Sequence, residues 1–249
     1  MSSPLPLVLT FAASDPTGGA GLQADLLTLA ALGCHPLSVV TALTVQDTRG
    51  VASLDAVDAA LVERQAAALL AELKVAAFKL GVLGSEANVR AVAAIVASHP
   101  RVPLVVDPVL ASGRGDPLAS EALIASLLEL IMPRATLATP NSVEARRLGG
   151  ERALLARGCR YVLVTGTHEA TSDVANTLYD ASGKVREDRW PRLPGSYHGS
   201  GCTLASACAA SLAHGVPMAD AVRAAQEFTW QSLSAGFRPA DGQFLPRRK

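Results

Sequence analysis

Short apolar runs alternate with longer alanine- and leucine-rich stretches, and that rhythm constrains the fold of this chain more than any other feature. "PLVLTFAA" is followed by "GLQADLLTLAALG", "LSVVTALTV", "AALVERQAAALLAELK", "AAFKLGVL", "NVRAVAAIVASH" and "VPLVVDPV". The short runs are too uniformly apolar to have a solvent face, which suits strands covered by helices on both sides. The pattern predicts a βαβα succession and a mostly parallel, doubly wound sheet. It continues with a helix over 116–131 stopped by Pro133, a strand "ATLAT" before Pro140, a helix over 142–148 and a strand "YVLVTG". Two polar-alternating segments follow, with Ser182-Gly183 at a hairpin turn, and then helices over 201–214 and 218–235. No repeat, low-complexity tract or linker interrupts the pattern, so one domain over residues 1–249 is expected.

Charge narrows the partners. Lysine plus arginine equals aspartate plus glutamate at 22 each, so no global field favours nucleic acid or an anionic membrane. Cys34, Cys159, Cys202 and Cys208 show neither CxxC spacing nor histidine pairs at metal-ligand distance, which argues against zinc and against a disulfide framework. The N-terminal apolar run lacks a basic flank and a cleavage pattern, and nowhere do about 20 apolar residues run together. A cytoplasmic protein is the expectation.

In open α/β sheets ligands bind beyond the carboxyl ends of the strands, and five loops there are unusual. "SDPTGGAG" has glycines at 18, 19 and 21, which allow positive φ and close approach of a ligand before a helix N-terminus; Asp25 lies one turn into that helix. "TALTVQDTRG" carries Gln46, whose amide can both donate to and accept from a heterocycle edge. "VVDPVLASGRGD" puts Asp107 at the end of a buried strand, placed for a cation or its water, with 113–116 as part of a cover. In "TPNSVEA", Asn141 and Glu144 sit three apart across a helix start, and a reciprocal cap alone explains both. "HGSGCTL" leads Gly199, Ser200 and Gly201 into a helix whose first N–H groups lack partners, a concave anion site with the helix dipole behind it. Cys202 in that first turn is expected to have its thiolate favoured, ready to take a proton from a hydroxyl, although a packing cysteine fits the spacing equally well.

Taken together and in order, "SDPTGGAGLQADLLTLAALG", "VTALTVQDTRGV", "KLGVLGS", "VVDPVLASGRGDPL", "TPNSVEA", "VLVTG" and "HGSGCTLASA" resemble the hydroxymethylpyrimidine/phosphomethylpyrimidine kinases of thiamin biosynthesis. The resemblance runs over almost the whole chain and implies a ribokinase-like three-layer α/β/α sandwich. It implies transfer of the γ-phosphoryl group of ATP, with Mg²⁺, to 4-amino-5-hydroxymethyl-2-methylpyrimidine and then to its monophosphate, in a cytoplasmic homodimer. Carried over by position, Ala20, Asp25, Gln46, Val82 and Val109 form the pyrimidine pocket. Asn141, Glu144, Thr165 and Ser200 attend the nucleotide, Asp107 and Glu144 the metal, and Gly199, Gly201 and Cys202 the transferring group. The chain departs from the pattern in carrying Thr165 where a lysine is usual, with Arg49 and Arg114 as possible substitutes, in Ala13 for a glycine, and in its tail "DGQFLPRRK". A pyridoxal-type kinase and a non-catalytic pyrimidine-binding homologue are the alternatives.

Overall fold

The computed structural model describes residues 5–112, 115, 116 and 118–249. Gly113 and Arg114 therefore lie outside the described residues, and with them half of the loop read as a cover and one of the two substitute arginines.

The strands are β1 (Leu7–Ser14), β2 (His35–Gln46), β3 (Val51–Ala56), β4 (Ala77–Leu80), β5 (Leu104–Val106), β6 (Leu137–Ala138), β7 (Tyr161–Thr165), β8 (Asp173–Asp180) and β9 (Gly183–Pro191). Helices are α1 (Gly21–Ala31), α2 (Ala59–Glu72), α3 (Glu86–Ala97), α4 (Glu121–Ser126), α5 (Ser142–Arg147), α6 (Gly150–Ala156), α7 (Ser200–Ala213) and α8 (Met218–Ser234). Among the described residues the strands form one sheet in the order β3-β2-β1-β4-β5-β6-β7-β8-β9. From β2 to β7 all neighbours are parallel; β3 and the β8–β9 hairpin add antiparallel edges.

Alternate strand residues feed two cores, as strand periodicity requires. Leu9, Phe11, Phe78, Leu80, Leu104, Val106 and Val162 pack against α2, α3, α4 and α6. Val8, Ala77, Val105, Leu137 and Leu163 face α1, α7 and α8. Ala205, Ala207, Ala209 and Ala210 of α7 are buried with Cys208, so small side chains bring this helix close against the sheet. The sandwich of helix, sheet and helix is the expected architecture. Among the described residues no helix is long and apolar enough to cross a membrane.

Local readings needed correction in five places. The helix expected over 116–131 begins at Glu121, because Ser120 accepts from the Leu123 amide as N-cap while Leu118 is still bonded to Leu110; it then widens into a π turn over Leu127–Ile131. Gln46 is the last residue of β2 rather than a loop residue, since β2 passes a bulge opposite Ala12/Ala13 and runs on to pair with β3. The strand β3 has no counterpart in the expected pattern, because "VASLDA" is a mostly exposed edge with no apolar run. Helix α6 is likewise absent from it, since Gly149-Gly150, both at positive φ, reads as a break. The hairpin turns at Ala181-Ser182, and Gly183 already pairs with Asp180.

Candidate active site

The loops after the parallel strands open into a cavity of about 480 Å³. Gln46, Ala20, Val82, Val109, Asp107, Asn141, Glu144, Thr165, Gly199, Ser200, Gly201 and Cys202 all line it. Asp25 does not. Its carboxylate is fully buried beneath the floor and receives Lys79 Nζ at 2.8 Å on both oxygens, Thr10 Oγ1 at 2.6 Å and Ser206 Oγ at 2.8 Å. With its oxygens occupied, Asp25 has no face toward a ligand, which corrects its expected place in the pocket.

The turn into α7 is fixed by contact between two loops. Gly199 has φ of +75°, and a Cβ there would overlap the Gly19 carbonyl oxygen, so only glycine fits both the conformation and the approach. No side chain caps the helix, and its first amides are left for another acceptor. A Cβ on Gly201 would lie 3.6 Å from both Asp107 oxygens, so this turn passes directly over that carboxylate.

The opposing loop is organised by Asp15. It accepts from the Thr17 amide and hydroxyl, the Ala20 amide, and His198 Nε2 at 2.9 Å. Burial pushes this carboxyl up, but His198, the Gln46 amide and the Thr17 and Ala20 amides together outweigh it and hold it well below the usual carboxylate range. His198 thereby joins "HGSGC" to "SDPTGG".

Asn141 and Glu144 form the reciprocal cap: Asn141 Oδ1 accepts from the Val143 and Glu144 amides, and Glu144 Oε2 accepts from the Asn141 amide at 2.9 Å. The same Glu144 lines the cavity, so the capping and site readings coexist. Burial and the nearby Asp107 charge push its carboxyl up to about 8, and burial raises Asp107 to about 6 despite Lys79. Asp107 Oδ2 is buried with no hydrogen-bond partner.

One consequence is measurable. In metal-free protein the folded chain keeps a proton on Glu144 that the unfolded chain releases, so stability falls as pH rises from about 4.5 toward 8. Glu144→Gln is expected to flatten that decline and to raise metal-free stability at pH 8 by on the order of 2–4 kcal/mol, read by denaturant titration at several pH values. A parallel decline in the variant would refute the assignment.

Cys202 departs from expectation. Burial pushes its thiol up to about 12; Lys79 opposes this, while Asp107 and Asp25 add to it. The helix N-terminus is outweighed, and the side chain is a neutral thiol at physiological pH.

Two residues that sequence reasoning passed over complete the site. Lys79 sits in β4 with its side chain fully buried, and the signal was a lone cation inside the apolar run "AAFKLGVL". Arg248 donates to the Gly19 carbonyl and, at 2.9 Å, to Thr203 Oγ1, while the Gln243 amide reaches Thr48 and Phe244 exchanges backbone bonds with Ser196 and His198. The unusual tail is thus a strap across three site loops.

Known proteins resemble this chain over nearly its full length. A family described as phosphomethylpyrimidine kinase matches residues 15–246. A hydroxymethylpyrimidine/phosphomethylpyrimidine kinase of Streptomyces coelicolor is 42% identical over 257 residues, covering 97% of this chain and 93% of its own. Among solved structures, the pyridoxal kinase of Staphylococcus aureus in complex with AMP-PCP superposes with a TM-score of 0.90 at 26% identity, covering 99% of this chain and 94% of that one. A phosphomethylpyrimidine kinase of Clostridium difficile gives 0.78 at 30% identity, over 90% and 97%. With nearly its full length matched and the glycine turn, the capped carboxylate and the strand-end aspartate around one cavity, the chain belongs to the phosphomethylpyrimidine kinase family.

Proposed function

We propose that this kinase transfers the γ-phosphoryl group of ATP to the hydroxymethyl group of 4-amino-5-hydroxymethyl-2-methylpyrimidine, and then phosphorylates the monophosphate, in thiamin biosynthesis. The observation that carries this reading is the placement of Gln46 and the uncapped Gly199–Cys202 turn in the same cavity. Gln46 offers a donor and an acceptor to an aminopyrimidine edge, with Val82 and Val109 as apolar walls. Asp15 acts through Gln46 and His198, fixing both walls of the pocket.

Phosphoryl transfer passes through a loose transition state with charge on the equatorial oxygens, so donors aimed at that charge matter more than a strong base. The amides of Ser200, Gly201 and Cys202 open α7 and are the donors for the migrating group. Cys202, as a thiol, orients the substrate hydroxyl, whose proton passes late in the transfer to an oxygen of the phosphoryl group. The residues fit Mg²⁺: Asp107 has a buried oxygen without a partner, and Glu144 next to it is held protonated by the same crowding of charge that a cation would relieve. Bound there with the nucleotide, Mg²⁺ supplies charge neutralisation across the phosphates.

Cys202→Ala is expected to lower kcat by roughly 10- to 100-fold with KM for the pyrimidine nearly unchanged. Undiminished turnover would remove the role given to the thiol. The close superposition on pyridoxal kinase supports a second reading, phosphorylation of the pyridoxal hydroxymethyl group. Purified protein with ATP and Mg²⁺, offered the pyrimidine, its monophosphate and pyridoxal in turn, decides between them; failure with all three leaves only a binding protein.

A further inference from the structure

A triphosphate brings several negative charges into a cavity whose wall already carries Asp15 and Asp107, so the supply of positive charge limits where it can sit. Lys79 is committed to Asp25, and His198 to Asp15. The arginine lining the cavity among the described residues is Arg192, and among those residues no carboxylate stands within ion-pair distance of it.

Its partners are neutral and its position is fixed. Arg192 Nε donates to the Thr171 carbonyl at 2.8 Å, Nη1 to the Thr167 carbonyl at 2.9 Å, and Nη2 to the Glu169 carbonyl at 2.7 Å. These carbonyls belong to the loop that follows β7, one residue beyond Thr165-Gly166. The chain just before Arg192 is held as well: Trp190 Nε1 donates to Gln226 Oε1, and the Pro191 carbonyl accepts from Trp230 Nε1 at 2.9 Å. A guanidinium has five N–H donors; three point to these carbonyls and a fourth reaches Thr171 Oγ1 at 3.5 Å, leaving one Nη1–H. Carbonyl dipoles orient the group without cancelling its charge.

We propose that Arg192 is a binding residue for the β- and γ-phosphates of the nucleotide, presented by the Thr167–Thr171 loop at the end of β7 where the chain itself carries threonine. This rests on the reading of ATP as phosphoryl donor. Arginine matches phosphate through charge and directed N–H groups, which glutamine cannot reproduce.

Isothermal titration of ATP and of adenosine into wild type, Arg192→Gln and Arg192→Lys tests it, with melting temperatures recorded for each. The expected result is a roughly 10- to 100-fold weaker ATP affinity for Arg192→Gln, adenosine affinity unchanged, and Arg192→Lys in between because it keeps the charge but loses the carbonyl bonds that hold it in position. Unchanged ATP affinity, or equal weakening of ATP and adenosine, would overturn the proposal, the second by showing that Arg192 only shapes the loop. If Arg192→Gln is unfolded, an Arg192→Lys variant that binds both ligands as wild type does also overturns it. Binding is read without an acceptor, so failure of the acceptor assay would strike the proposed reaction and leave this result standing.

Discussion

Gly199→Ala is expected to lower kcat by at least ~100-fold. The added Cβ overlaps the Gly19 carbonyl, and the backbone must leave a φ of +75° that alanine rarely adopts. Both strains rotate the first amides of α7 away from the position they share over Asp107. Removing a single donor of this kind costs about 100- to 1,000-fold elsewhere, and here the whole turn moves. Gly201→Ala is the comparison: the nearest atoms a Cβ there meets are the Asp107 oxygens at 3.6 Å, ordinary contact, so a much smaller loss is expected. Steady-state kinetics of both variants check this, and equal losses would refute the argument.

The largest stability effect belongs to Lys79. Replacing it with methionine leaves Asp25 buried, with Thr10 and Ser206 as its remaining donors and no countercharge. Breaking such a pair by removing one partner costs about 3–5 kcal/mol, corresponding to a fall in Tm of roughly 6–20 °C for a chain of this size. Adding Asp25→Asn to Lys79→Met removes the stranded charge and is expected to recover part of the loss. Thermal unfolding of wild type and the two variants is the check; a double variant no more stable than Lys79→Met would show that the charge was not the cost.

The glycine turn and the Asn141–Glu144 cap were legible because each is a local device: a few adjacent residues specify the conformation, whatever surrounds them. The parallel sheet was legible for a similar reason, since strands buried on both faces have few polar residues to mask their length. Lys79 and Asp25 were not, because they are 54 positions apart and meet only when β4 lies beside β1, with β2 and β3 passing to the other side. Cys202 was misread by a sound local rule. A helix N-terminus does favour a thiolate, but the strand-end Asp107 arrives from far along the chain and burial decides the balance. Gln46 was placed in a loop because the bulge opposite Ala12/Ala13, which lets β2 run on, leaves no mark in its polarity pattern.

The alanine face of α7 carries a further consequence. One rigid rod is both a wall of the interior and the holder of the glycine turn, pressed against its neighbours with almost no slack. Enlarging Ala205 or Ala209 would push that rod outward and lift its tip, about a turn or two away, off the reacting atoms. Selection for heat resistance at these positions and selection for speed therefore act on the same degree of freedom, and neither property can drift without dragging the other along.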